Sequence, residues 1–256
     1  MSFSNKIEEQ PAQTAARKWS AEEFKELVLG SGLKVAVFDC DGTLWGGDAG
    51  SGFMHWTLQQ GLVSRSVADL IDTRYRAYRA GQVSEVEICG EMVQMYAGLR
   101  AEELRTAAAR YFNQIVRPQI FEEIADLVAA LRQDDVELWA VSSTNHWVIA
   151  ESVRDFGIPE ERILAARVQV RDGIITSELV DVPTGEGKAA ALRRVGLHTP
   201  DAVFGNSVHD LPMLEMARHA FPVNPSPSLI DAAARHGWGY FRPAAAEGKP
   251  AAVGGE

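Results

Sequence analysis

Asp39 and Asp41 stand two residues apart in V-A-V-F-D-C-D-G-T, residues 35–43, at the abrupt end of a short apolar run. Two carboxylates so close repel each other unless a cation or a shared proton compensates. The pair is therefore a candidate for Mg²⁺ binding, and for a division of labour in which one acid attacks and the other handles protons. If Val35–Phe38 is a buried strand, both acids lie just past its C-terminal end, where open parallel sheets place their ligands. The competing reading is a surface turn, since Asp-Gly is common turn chemistry.

Three later segments carry further candidates. V-E-L-W-A-V-S-S-T-N, residues 136–145, is a second strand-like run that ends in hydroxyl residues, with Ser142 and Ser143 placed to donate to an anion. G-E-G-K, residues 185–188, sets Lys188 at the start of a helix. V-F-G-N-S-V-H-D, residues 203–210, is a strand followed by a polar loop with Asn206 and Asp210. Viewed alone, the serines read equally well as a helix cap. Lys188 alone reads as a surface lysine, because T-G-E-G-K lacks the P-loop spacing.

In this order the four segments resemble the haloacid dehalogenase superfamily of phosphohydrolases, and more closely its phosphoserine-phosphatase-like branch, over roughly residues 33–242. The resemblance implies Mg²⁺-dependent hydrolysis of a small-molecule phosphomonoester through a phosphoaspartyl intermediate. It makes Asp39 the nucleophile. Asp41 is the general acid and then base, and lends its backbone carbonyl to the metal. Thr43, Ser142, Ser143 and Lys188 serve the phosphate, with Thr43 orienting the loop. Asp39, Asp41, Asn206 and Asp210 make up the metal site.

One position departs from the pattern. The resembling enzymes have G-D-x-x-x-D at the fourth segment, whereas this chain has Gly205-Asn206 followed by Asp210. An Asn carbonyl oxygen still suits a hard cation but brings no charge, and ligand charge tunes affinity. The expectation is weaker Mg²⁺ binding, or Asp210 taking more of the load. His209 is expected to be a loop residue and not a ligand, since Mg²⁺ favours oxygen.

Two acids are candidates for the substrate's leaving group. Asp48 lies nine residues after Asp39, near where the phosphoserine enzymes place a carboxylate for the substrate ammonium. The stretch matching their carboxylate-binding arginine offers Gly90 and Glu91 and no basic residue. A substrate carboxylate without a cationic partner is costly to bury. The expected substrate is therefore phosphoserine-like or amine-bearing, with Trp45, Phe53, His55, Trp56 and Trp147 as candidate walls of an alkylammonium cage. Two alternatives remain open: a phosphotransferase using the same intermediate, and a phosphate-ligand binding module whose catalysis has decayed.

The elements that must position these residues follow from hydrophobic spacing. Ser20 is a candidate N-cap with Glu23 as capping-box partner, before Phe24, Leu27 and Val28 on one helical face. From about Phe53 to Phe112 strand-like runs vanish and apolar residues recur at helical spacing. Beyond residue 113 strands and helices alternate, with helices over Phe121–Arg132, Trp147–Phe156 and Lys188–Val195. Strands are predicted over Val136–Val141, Ile163–Ala166, Ala202–Phe204 and Ala220–Val223, and a hairpin turns around Asp172-Gly173. The fold class is α/β: a Rossmann-like, mostly parallel sheet with helices on both faces and an inserted helical cap. Residues 19–52 and 113–242 form the core and 53–112 the cap, while 1–18 and 243–256 are expected to be loose.

Bulk properties agree. The 256 residues carry a net charge of −10 and are 46% hydrophobic and 23% charged. Acidity argues against a nucleic-acid-binding surface. No run reaches the roughly 18 apolar residues a membrane helix needs. Two cysteines, Cys40 and Cys89, fit neither a zinc site nor a disulfide framework, and the N-terminus lacks a secretory pattern, so a cytoplasmic protein is expected.

Overall fold

The computed structural model describes residues 15–248. The expected loose ends fall mostly outside that range. Within it, Lys18–Trp19 (β1) pairs with Tyr240–Phe241 (β8) in a two-stranded parallel ribbon, and Ala244–Ala246 form a short 3-10 turn.

Ser20 caps helix α1 (Ala21–Leu29) in a full capping box with Glu23, and Phe24 and Val28 bury its inner face. The first core strand, β2, is Val35–Phe38. Four helices follow: α2 (Ala49–Gln59), α3 (Arg65–Arg79), α4 (Glu85–Gln94) and α5 (Ala101–Tyr111). Then come α6 (Glu122–Gln133), β3 (Glu137–Asn145), α7 (His146–Val153), β4 (Ile163–Arg171) and β5 (Ile174–Asp181). The chain closes with α8 (Glu186–Arg194), β6 (Ala202–Gly205), α9 (Leu211–Glu215), β7 (His219–Pro222), α10 (Pro227–His236) and β8.

The main sheet has the order β5-β4-β3-β2-β6-β7, and every pairing is parallel except β4 with β5. Read by chain order, the five parallel strands run third, second, first, fourth, fifth. That order reverses beside β2, which makes the C-terminal edge of β2 the switch point at which such sheets bind ligands.

Period-2 alternation explains why β2 is buried on both sides. Ala36 and Phe38 join one apolar cluster with α1 and α6 (Phe24, Val28, Ile124, Leu127). Val37 points the other way, into a second cluster with Ala191 and Leu192 of α8, Met213 and Leu214 of α9, and Leu229 of α10. A two-faced core of this kind holds the loops beyond the strand ends on a rigid base.

Helices α2–α5 pack around their own aromatic centre. Phe53 lies 5.8 Å from Tyr96 and 5.4 Å from Tyr111, ring centre to ring centre, and stacks on Trp56 at 6.1 Å. Trp45 and Trp147 are also buried. These aromatics fill cores and do not wall the cavity described below, so the expected cage is not built from them. The sequence splits residues 163–179 into a strand and a separate hairpin at the charged Arg167. In the structure β4 runs unbroken, pairing with β3 through Ile163–Ala166 and with β5 through Arg167–Arg171.

Candidate active site

The acid pair lies where the strand argument puts it, in the loop leaving β2. The Asp39 amide still bonds Phe204 O at 2.9 Å, which locks Asp39 to β6 before the chain turns away. Gly42 then takes φ 79°, and a Cβ built there would sit 1.9 Å from Asn206 Nδ2. Only glycine permits both that backbone angle and that contact between the first and fourth segments.

Lys188 organises the floor of the site. It is 3% exposed, and its Nζ donates to Asp39 Oδ1 at 2.7 Å and to Asp210 Oδ1 at 2.5 Å. Thr43 Oγ1 donates to the other Asp39 oxygen at 2.8 Å. Burial and the charge of Asp210 push the Asp39 carboxyl up to about 7, against the pull of Lys188 and Thr43. Burial works against the charge on Lys188, but Asp210 and Asp39 outweigh it and hold the ammonium above the ordinary lysine range. The amine stays charged and the two acids compete for it.

Asp210 is bonded through both oxygens. One oxygen takes Lys188, and the other accepts the backbone N–H groups of Asn206 (2.8 Å) and Ser207 (3.0 Å). It is fully buried and does not line the cavity, whereas Asn206 does. The expectation that Asp210 would compensate for Asn206 at a metal meets a carboxylate that is fully buried and outside the cavity lining. Its carboxylate fixes Lys188 and the fourth loop.

Asp41 is anchored from three directions. Oδ1 accepts Trp45 Nε1 and the Ala49 N–H, both at 2.7 Å, and Oδ2 accepts Thr144 Oγ1 at 2.7 Å. Burial and neighbouring Asp48 raise its pKa to about 6, and the bonds from Thr144, Ala49 and Trp45 limit the rise. A carboxyl poised there can both give and take a proton near neutrality.

A cavity of about 90 Å³ separates the sheet edge from helices α3 and α4. It has room for a handful of waters at about 10–15 Å³ each, so what fits it whole is a small molecule. Asp39, Asp41, Ser142, Ser143, Lys188, Asn206 and Asp48 all line it. The serines reach it at a bulge in β3, where pairing with β4 shifts between Ser142 and Asn145. Asp48 caps α2 through Ser51, accepting its N–H at 2.9 Å and its hydroxyl at 2.7 Å.

Two candidates lie elsewhere. Thr43 is buried with its hydroxyl on Asp39, outside the cavity wall. Glu91 is held by a bidentate bond from Arg74 (Nη2 to Oε1 at 2.7 Å, Nε to Oε2 at 2.8 Å) and faces a separate groove beside Leu70 and Met95. Sequence reasoning missed Thr144 as the partner of Asp41, and Tyr75, Tyr78 and Glu85 as cavity wall. The tyrosines stand three apart on α3, a spacing that also fits simple helix packing, so the sequence holds no signal that separates the two roles.

The raised carboxyls predict an acid preference for the metal-free protein. An unfolded Asp titrates near 3.9, while folded Asp39 and Asp41 titrate at about 7 and about 6. Between those limits the folded state binds more protons, so stability falls as pH rises. The expected result in EDTA is a lower thermal midpoint at the alkaline end of that window than at the acid end, with a shallower decline in Asp39→Asn. Equal slopes in the two proteins contradict the assignment, and the comparison cancels the opposing titration of His146, whose pKa is lowered by burial.

Comparison with known proteins points one way. The family model for haloacid dehalogenase-like hydrolases matches residues 36–215. A probable phosphatase of Mycobacterium tuberculosis is 28% identical over 214 residues, 80% of this chain and 73% of that protein. A phosphoserine phosphatase of Halobacterium salinarum is 29% identical over 210 residues, 80% of this chain and 92% of that protein. The fold is shared with a crystal structure of a protein of unknown function from Bordetella pertussis Tohama I, with a TM-score of 0.71 at 24% identity over 81% of this chain and 97% of that one. Among the described residues no helix is long and apolar enough to cross a membrane.

Proposed function

The chain belongs to the haloacid dehalogenase-like hydrolases, and from that footing we propose that it is a Mg²⁺-dependent phosphomonoesterase working through a phosphoaspartyl intermediate on Asp39. The observation that carries this reading is the buried Lys188 shared between Asp39 and Asp210, at the floor of a cavity that also holds Asp41 with its pKa about 6.

Residues lining the cavity would suit a hard cation: Asp39 with its carboxylate and Asn206 with its amide oxygen, beside Asp41. Among the described residues no three His, Cys, Asp or Glu side chains gather into a metal cluster. Mg²⁺ tolerates this sparse set because it keeps several waters and needs only one or two carboxylates. When bound, the ion supplies positive charge that offsets repulsion between Asp39 and the phosphate.

The residues then divide the work. Lys188 and the Ser142 and Ser143 donors hold the phosphoryl oxygens. An Asp39 oxygen bonds to phosphorus as the ester P–O bond breaks, and the departing alkoxide takes a proton from Asp41. Asp41 Oδ2 carries that proton, since Thr144 occupies only one of its lone pairs. In the second half Asp41 removes a proton from water, the water oxygen bonds to phosphorus, and Asp39 leaves as a carboxylate. Helices α2–α5 act as a cap that keeps bulk water from the acyl phosphate. At the leaving-group end, Asp48 is placed to receive the ammonium of an amine-bearing alcohol.

The test is phosphate release from a panel of small phosphomonoesters with Mg²⁺ or EDTA. Metal-dependent release from at least one member is expected, and none from any member, with the protein folded, contradicts the reading. Asn206→Asp adds a charged oxygen beside Asp39, so Mg²⁺ should bind on the order of tenfold more tightly. Calorimetric titration of the metal alone measures this, and an unchanged affinity removes Asn206 from the metal site.

A further inference from the structure

The wall of the cavity nearest the cap has a charge pattern that bears on which phosphomonoesters enter. Glu85 is the first residue of α4, yet its carboxylate reaches across to the core. It accepts the Thr184 hydroxyl just ahead of α8, and lies 2.6 Å from His209 Nδ1 in the loop after β6. Burial tends to raise the Glu85 pKa, but the bonds from His209 and Thr184 outweigh it and hold the carboxyl below its ordinary range. Glu85 is therefore an anion at the pH of any ordinary assay.

This contact changes what the cavity offers a substrate. Among the described residues lining it, Lys188 and His209 are the basic side chains. Lys188 is bound between Asp39 and Asp210, and His209 is engaged by Glu85. Arg74, on the helix that supplies Tyr75 and Tyr78 to the wall, is turned outward onto Glu91. The leaving-group end is thus bounded by two carboxylates, Asp48 and Glu85, and by the tyrosine rings, with no uncommitted cation. An anionic leaving group entering there is desolvated beside like charges, whereas a neutral or cationic one is not.

Resting on the phosphatase reading above, we propose that Glu85 is a specificity-determining residue: by engaging His209 and adding its own charge, it restricts the enzyme to phosphomonoesters whose leaving alcohol carries no carboxylate. The relatives named for phosphoserine are then poor guides to this chain's substrate.

Phosphoethanolamine and phosphoserine differ by one carboxylate and make the matched pair for the test, with p-nitrophenyl phosphate as a general phosphomonoester. In the wild type, kcat/KM for phosphoethanolamine should exceed that for phosphoserine by about tenfold or more, the discrimination expected from an unpaired buried charge. Glu85→Gln keeps the shape and the hydrogen-bonding capacity while removing the charge, so it should narrow that ratio. A purely structural contact between cap and core would change both substrates by the same factor and leave the ratio alone. A wild-type preference for phosphoserine, or a ratio unmoved in Glu85→Gln, overturns the inference while release from p-nitrophenyl phosphate leaves the phosphatase reading standing. No release from any of the three brings down that reading, and this inference with it.

Discussion

Asp39→Asn should abolish phosphate release, by about 10⁴-fold or more, because it removes the atom that bonds to phosphorus and not merely a contact. The substitution is nearly isosteric, and the protein should remain folded. Asp39 is 4% exposed; Lys188 can still donate to the amide oxygen, and the Thr43 hydroxyl can turn to accept from the new NH2 group. Loss of activity with an intact thermal transition separates chemistry from folding. The amide introduced by Asp39→Asn cannot form an acyl phosphate, so the residual rate should reflect only positioning by Lys188 and the serines. A loss smaller than about tenfold would show that Asp39 binds a group without attacking phosphorus.

Lys188→Met should be the most destabilising single change in the site. It leaves Asp39 and Asp210, respectively 4% and 0% exposed, facing each other without their shared cation. Breaking a buried ion pair from one side costs about 3–5 kcal/mol. Asp210 has the stronger claim to remain ionised, since two backbone N–H groups still serve it, so Asp39 should take up the proton and lose its nucleophilicity. Denaturant unfolding measures the first effect and phosphate release the second. Adding Asp210→Asn to Lys188→Met removes one of the stranded charges and should restore part of the stability and none of the activity. If the double variant is no more stable than the single one, Lys188 does not act by charge compensation.

What the sequence discloses here depends on the range of the interaction. V-A-V-F ahead of two acids is a local pattern, and β2 forms there with its alternate residues feeding two separate cores. Helical spacing over residues 53–112 is equally local, and helices α2–α5 lie within it apart from the first turn of α2. The order of the four motifs also brings Asp39, Asp41, Ser142, Lys188 and Asn206 around one cavity: the two aspartates and Asn206 leave the C-terminal ends of the parallel neighbours β2 and β6, Ser142 lies in β3 beside them, and Lys188 arrives on α8 after the antiparallel β5.

Spacing does not say which lone pairs are already taken. Asp210 sits at a ligand-like interval from Asn206, yet its oxygens go to Lys188 and to its own loop's N–H groups. Glu91 lies in the helical stretch that the resemblance singles out but turns to Arg74, 17 residues earlier on the neighbouring helix. Phe53 and Trp56 lie close to the acid motif in sequence, and their large apolar area goes to the helical core with Tyr96 and Tyr111. The tyrosines that do wall the cavity, and the Glu85–His209 contact that spans 124 residues of chain, arise only when α3 and α4 fold over the sheet edge.

The covalent route on Asp39 is tested most directly by acid-quenching the enzyme during turnover with Mg²⁺ and an excess of its best phosphomonoester, then weighing the peptide that carries V-F-D-C-D-G-T. A fraction of that peptide heavier by one phosphoryl group, with fragment ions placing the group on Asp39 and no such fraction in Asp39→Asn, is the expected result. Wild-type turnover through rate-limiting breakdown with no phosphoryl on that peptide, or with the group on another residue, contradicts it.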